Sequence, residues 1–255
     1  MDAKELFSCE GKTALVTGSA QGLGKDISIG LAHFGASLVL SDIVYPEKTL
    51  QRIEAMGINC IAIEADISDE KQVENLADSA LSAYGKVDIL VNNAGISQLS
   101  FTPSEELPIN EWNRVVDTNL KGTFLCCQKI GKQMVDAGGG NIVNIATTAG
   151  ITGVPRAPAY CSSKAGVILL TKSLALEWAR YQIRVNAIAP HYLETQLTQG
   201  LRESPKVKEA LIGQIPLRRF GKTSEVVGAV IFLCSEASSY VTSAVIPVDG
   251  GYLAQ

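Results

Sequence analysis

Short apolar runs alternate with longer amphipathic stretches from end to end of this chain, and no other feature restricts its fold as much. KTALVT (12–17), ASLVLS (36–41), NCIAIEA (59–65), VDILVN (87–92), GNIVNIA (140–146), IRVNAIA (183–189) and AVIPV (244–248) are rich in valine and isoleucine and nearly unbroken in apolar character. A strand with one wet face alternates polar and apolar residues, whereas a strand covered on both faces reads as a continuous run. Helical patterns fall between the runs, at 22–34, 46–56, 69–84, 111–136, 159–180 and 223–234. Strands joined through helices lie parallel, by right-handed crossovers. The expected class is therefore α/β, a doubly wound parallel sheet with helices on both faces.

No Ser/Pro-rich linker, repeat or low-complexity segment interrupts this rhythm, so residues 1–255 read as a single domain, long enough to bury a large core. Composition narrows the function. A net charge of −4 and a pI near 5.3 leave no basic footprint for nucleic acid. The opening MDAKELFSCEGK is too charged for a secretory signal, and the longest apolar stretch, VVGAVIFLC (226–234), is too short to span a bilayer, so no membrane partner is expected. Six cysteines, at 9, 60, 126, 127, 161 and 234, lack C-x-x-C spacing and read as reduced thiols of a cytoplasmic protein. Two histidines, His33 and His191, rule out a His-rich metal site, and no metal is expected; His33 reads as a helix-surface residue. Gly138–Gly140 reads as a helix-ending turn. The rhythm breaks once, between Pro190 and Phe220. A long insertion after a strand's carboxyl end is a natural substrate lid, here at about 190–220.

The first run leads straight into T17-G18-S19-A20-Q21-G22-L23-G24 and then a helical pattern. Glycines around a strand-to-helix turn let the backbone approach a pyrophosphate, whose charge rests at the helix N-terminus. Gly18, Ser19, Gln21, Gly22, Leu23 and Gly24 are the candidate phosphate cradle. The second run ends at Asp42, where a dinucleotide fold places its ribose-binding acid. A carboxylate there accepts hydrogen bonds from the ribose hydroxyls and repels a 2′-phosphate. Two negative charges against one at ~5 Å and an effective ε of about 20 cost on the order of 6 kcal/mol before screening. No lysine or arginine occupies residues 18–24, so the expected cofactor is NAD, not NADP.

A tyrosine and a lysine four apart, in Y160-C-S-S-K164, share one helix face. Together with T17-G18-x-x-x-G22-x-G24, N92-N93-A94-G95, the Asn119 of D-T-N-L-K-G and the tail V248-D249-G250-G251, this order and spacing resembles the short-chain dehydrogenases/reductases over essentially the whole chain. The resemblance implies a one-domain Rossmann fold with a seven-stranded sheet, assembled as a homotetramer or homodimer. It implies Tyr160 as general acid/base, Lys164 on the nicotinamide ribose, and Asn119 holding a water or backbone group in a proton relay. It also implies Asn93, Ala94 and Gly95 as cofactor floor, Asp66 and Ile67 bracketing adenine, Ile43 beside Asp42 at the adenosine end, and Pro190, Leu193 and Thr195 near the nicotinamide. A free phenol, with a pKa of about 10, is a poor base at neutral pH. An ammonium ~5 Å away at ε of about 20 contributes roughly 3.3 kcal/mol, which would lower that pKa by about 2.4.

Two positions depart from the family pattern. Thr147 stands where the family has serine; it keeps a hydroxyl for the substrate oxygen, and its methyl stiffens χ1 and takes space beside the reacting carbon. Thr148 is the fallback hydroxyl, one position off. His191 replaces a glycine after Pro190; a positive φ in a strained turn is the favoured expectation, and an imidazole facing the pocket to select a polar substrate is the other. The substrate pocket is expected from 97–101, 148–158 and 191–213. The opening L-F-S-C-E-G-K-T-A-L-V-T-G resembles gluconate and deoxygluconate dehydrogenases of the family, which points to a small secondary alcohol (a polyol, sugar or sugar acid) and its ketone as substrate pair. A 3-oxoacyl-thioester reductase and a catalytically impaired nucleotide-binding regulator are the alternatives. Asp42 and the acidic pI oppose the first, and retention of Asn119, Tyr160 and Lys164 opposes the second.

Overall fold

In a computed structural model of the chain, describing residues 3–98 and 102–255, the seven apolar runs form one sheet. Its strands are β1 (Thr13–Thr17), β2 (Ser37–Asp42), β3 (Cys60–Glu64), β4 (Ile89–Asn92), β5 (Gly140–Ile145), β6 (Ile183–Pro190) and β7 (Val245–Val248). They are all parallel, in the order β3-β2-β1-β4-β5-β6-β7. The helices are α1 (Ala3–Leu6), α2 (Gly22–His33), α3 (Glu47–Glu54), α4 (Glu70–Tyr84), α5 (Ile109–Val116), α6 (Gly122–Ala137), α7 (Ala149–Thr152), α8 (Pro158–Trp178), α9 (Gln199–Glu203), α10 (Pro205–Gly213) and α11 (Thr223–Cys234).

The unbroken apolar runs are explained by two cores, one on each face. Successive residues of a strand point to opposite faces. Leu38 and Leu40 of β2 therefore enter one core with Leu31, Ile53 and Val230, while Val39 enters the other with Leu15, Leu76, Ile130 and Met134. Each such fully buried aliphatic side chain contributes roughly 1.5–3 kcal/mol. The doubly wound, single-domain Rossmann-type architecture expected from the sequence is the one observed. Pro190–Phe220 contains no strand after Pro190; it carries α9 and α10.

A buried polar chain ties the second half of the sheet to α8. The Asn92 amide donates to the Asn144 side-chain oxygen (2.8 Å), the Asn144 amide donates to Thr171 (2.9 Å), and the Thr171 hydroxyl donates to the Val167 carbonyl (2.8 Å). This ties the middle of α8, at Val167 and Thr171, to the carboxyl ends of β4 and β5. The single helical pattern at 111–136 is interrupted in the structure: Asp117–Lys121 is one π-type turn between α5 and α6. Such bulges re-aim a side chain, and the residue inside this one is Asn119.

Candidate active site

The order of β1 and β4 reverses the winding of the sheet, and the crevice outside the strand ends at that point opens into a cleft of about 730 Å³. The turn from β1 into α2 forms one wall. Gly24 is required by close approach: a Cβ there would lie 2.0 Å from the Gly18 carbonyl oxygen. Gly22 has φ +55 with open space on its Cβ side, so a ligand can reach the backbone. Asp42, at the end of β2, accepts the backbone N–H groups of Ala20 (2.9 Å) and Val44 (3.4 Å) and lines the cleft beside Ile43. An open glycine cradle with an acid beside it fits a pyrophosphate and a ribose.

Gly18, Gln21, Gly22, Leu23, Gly24, Asp42, Ile43, Asp66, Ile67, Asn93, Ala94, Gly95, Thr147, Tyr160, Lys164, Pro190, Leu193 and Thr195 all line this one cleft. Ser19 does not. It is fully buried, and both its N–H and its hydroxyl go to the Ser41 carbonyl (3.1 Å each), so it holds the turn against β2 without facing a ligand. Asn119 lies behind the wall. Its side-chain oxygen accepts from the Ile96 N–H (2.8 Å) and its amide donates to the Ile96 carbonyl (3.0 Å) and to Ser163 (3.1 Å). Asn119 thus holds the backbone at Ile96.

Pro158 starts α8, which puts Tyr160 in its first turn and Lys164 one turn later. The Lys164 ammonium donates to the Ile145 carbonyl at 2.7 Å, and burial pushes its pKa down to about 8. Burial pushes the Tyr160 phenol up to about 12, against a smaller lowering by its hydrogen bond with Thr147. The expectation of a phenol acidified by its lysine neighbour is thus corrected. Loss of hydration dominates at both groups, and the ammonium spends a proton on a strand-end carbonyl. The Thr147 hydroxyl also lies 3.1 Å from the Pro190 carbonyl, an alternative acceptor for the single proton that it can donate to the phenolate.

His191 has no positive φ, so the strained-turn expectation is also corrected. Its backbone N–H donates to Val248 (3.2 Å), which continues the ladder past the end of β6. Its Nδ1 lies 2.7 Å from the Thr148 hydroxyl, and its ring stacks on Tyr252 at 3.8 Å. Sequence reasoning missed Tyr252 and the Ile145 carbonyl; no local pattern marks a contact between segments this far apart in the chain. Within the expected pocket segment 97–101, residues 99–101 lie outside the described residues. Among the described residues no three His, Cys, Asp or Glu side chains gather as a metal set, and no helix is long and apolar enough to cross a membrane. All six cysteines are free thiols; Cys60 and Cys161 are half-buried and the others buried.

A parallel sheet with its cleft at the switch point belongs to the dinucleotide-binding class of doubly wound α/β proteins. A family profile described as enoyl-(acyl carrier protein) reductase matches residues 18–253. The chain is 40% identical over 250 residues to a 2-dehydro-3-deoxy-D-gluconate 5-dehydrogenase of Dickeya dadantii, covering 98% of each. It is 39% identical over 243 residues to a 3-oxoacyl-(acyl-carrier-protein) reductase of Staphylococcus aureus, covering 94% of this chain and 97% of that one. The crystal structure of a gluconate 5-dehydrogenase from Burkholderia cenocepacia in complex with NADP and tartrate superposes with a TM-score of 0.94 at 33% identity, covering 100% of both chains. The protein belongs to the short-chain dehydrogenases/reductases, a family of oxidoreductases.

Proposed function

We propose that this oxidoreductase interconverts a small secondary alcohol of the polyol, sugar or sugar-acid type and its ketone, using NAD(H). The observation that carries the reading is the meeting of Tyr160, Thr147 and Lys164 with the glycine cradle in one cleft. Bound there, a nicotinamide dinucleotide supplies hydride transfer to or from the substrate carbon. The chain's own residues do the rest. Tyr160 moves the proton of the substrate oxygen, acting as acid toward a ketone and as base toward an alcohol. Thr147 holds that oxygen through its hydroxyl. Lys164 has one of its three donor protons on Ile145 and two left for the ribose side and the phenol. Asn119 fixes the backbone at Ile96 and acts as a positioning residue for the relay side of the site.

Asp42 supports NAD over NADP, because its carboxylate lines the adenosine end and, among the described residues, the only cations lining the cleft are Arg114 and Lys164. The NADP in the Burkholderia relative is the opposing observation. The gluconate-type relatives, and the tartrate held by one of them, support a polyhydroxylated substrate. The segment 190–220, which lines the cleft through Pro190, His191, Leu193 and Thr195–Thr198 and carries α9 and α10 further on, is read as the lid. Leu169 and Leu176, exposed seven apart on α8, with exposed Phe124 on α6, support a homotetramer or homodimer. The free cysteines support a cytoplasmic setting.

The 3-oxoacyl-thioester reductase is the second reading, favoured by the Staphylococcus relative. A panel of polyols, sugar acids and acyl thioesters, assayed with each dinucleotide, separates the two: turnover confined to acyl thioesters with NADPH overturns the proposal. With the substrate found, Tyr160→Phe is expected to lower kcat about 10²–10⁴-fold. Its dinucleotide affinity should stay within about twofold. Undiminished turnover by that variant removes Tyr160 from the chemistry.

A further inference from the structure

The imidazole of His191 has a polar atom without a partner among the described residues. Its Nδ1 is engaged with the Thr148 hydroxyl at 2.7 Å, while Nε2 is shielded from solvent and meets no hydrogen-bonding group among the described residues. An unpaired buried donor or acceptor is costly, and its persistence in a site asks for a ligand. Thr148 settles which proton is involved. Its hydroxyl has no other acceptor among the described residues, so it donates to Nδ1, and the ring proton resides on Nε2. Burial pushes the imidazole pKa down to about 4, slightly opposed by the Asp249 carboxylate, so near neutral pH the group is an uncharged donor.

The ring lies at a boundary. His191 lines both the large cleft and an adjoining cavity of about 280 Å³ bounded by Ile215, Leu217 and Gly250. Tyr252 covers one of its faces. It sits on the short terminal turn Tyr252–Ala254, which Asp249 holds through the N–H groups of Gly251 and Leu253 (2.9 Å each). Nε2 is shielded as the site stands, so its use by a substrate requires the surrounding side chains to move. The nearby cation is not available as an anion receptor, because Arg219 is paired with Glu225 (2.6 Å).

We propose that His191 is a specificity-determining residue whose Nε2–H donates to a second oxygen of the substrate, a neutral hydroxyl, so that polyols are selected over simple secondary alcohols. This rests on the alcohol–ketone reading above. A site built to hydrogen-bond a hydroxyl discriminates against the analogue that lacks it, because its own donor is then left unpaired.

The test compares butane-2,3-diol with butan-2-ol as matched substrates. His191→Phe keeps an aromatic ring on Tyr252 and removes both nitrogens. The ratio of kcat/KM for the diol over that for the mono-alcohol should fall about 10–100-fold, and His191→Gln, which restores a distal donor, should recover part of it. An unchanged ratio in His191→Phe overturns the proposal. A second measurement does not depend on turnover. With only two histidines in the chain, ¹⁵N imidazole spectra of the dinucleotide complex assign readily against a His33→Gln variant. Protonation at Nε2, and movement of that resonance on adding butane-2,3-diol, are expected. An Nδ1–H form, or a resonance that ignores the diol, sinks the inference. If neither alcohol is turned over, the oxidoreductase reading fails for these substrates while the spectra still decide the role of His191.

Discussion

Tyr160 and Thr147 share a hydrogen bond that works against burial, and this opposition sets the pH behaviour of the site. The phenol is pushed up to about 12 by loss of hydration, and the Thr147 bond is the largest of the lowering influences. A protonated phenol serves ketone reduction near neutral pH, whereas alcohol oxidation needs the phenolate and should rise with pH into the alkaline range. Thr147→Ala removes the bond, so its oxidation limb should move to higher pH, with kcat lower by about 10²-fold. Thr147→Ser keeps the hydroxyl and should keep the limb while widening the range of alcohols accepted. A pH profile of Thr147→Ala that overlays the parent would show that the bond does not tune the base. His191 has the reverse sign in acid. Its folded pKa of about 4 lies below the ordinary 6.5, so the unfolded chain takes up the proton first. The stability it contributes is full above about pH 6.5 and is lost as the pH falls toward 4. Other groups titrate there too, so the measurement is a difference. His191→Phe should lose less stability than the parent between pH 6.5 and 4, and equal losses would contradict a buried neutral imidazole.

At the scale of elements, the chemistry depends on how α8 is seated. Helical spacing alone puts Tyr160 and Lys164 on one face, but Asn144, buried in β5, links Asn92 of β4 to Thr171 of α8. Asn144→Ala leaves two buried partners short of a bond. The expected cost is about 2 kcal/mol, which lowers the melting temperature of a domain this size by roughly 4–8 °C. A calorimetric scan that finds less than 1 °C would show the chain of bonds to be incidental. The π-type turn at Asp117–Lys121 was not legible in the sequence, because the apolar period of 111–136 runs through it undisturbed. What betrays it is tertiary: Asn119 has to reach the backbone of Ile96 on another segment. The helix and strand ends, by contrast, were legible to within a residue or two, since a parallel strand buried on both faces admits few polar residues.

For the whole molecule, the topology gathers the candidate residues. The switch between β1 and β4 brings the glycine cradle, Asp42 and the start of α8 to one edge of the sheet, so ligand binding should stabilise the entire fold. At a hundred times its dissociation constant a dinucleotide adds ~2.7 kcal/mol, or roughly 5–10 °C in melting temperature. At equal concentration NAD should give the larger shift, and Asp42→Ala should narrow the gap. A larger shift with NADP in the unmodified protein would overturn the coenzyme assignment.

The sequence by itself determined the class of fold, the crossover pattern and most members of the cleft, because burial periodicity and a glycine-rich turn are local facts that any folded arrangement of this chain must respect. It could not determine proton affinities or the conformation of His191. Ser19 turned inward, burial raised the proton affinity of the phenol against the Thr147 bond, and the imidazole found Thr148 and Tyr252. Those outcomes depend on which distant groups arrive at van der Waals distance and on how much water they displace, and only the packed tertiary structure decides that.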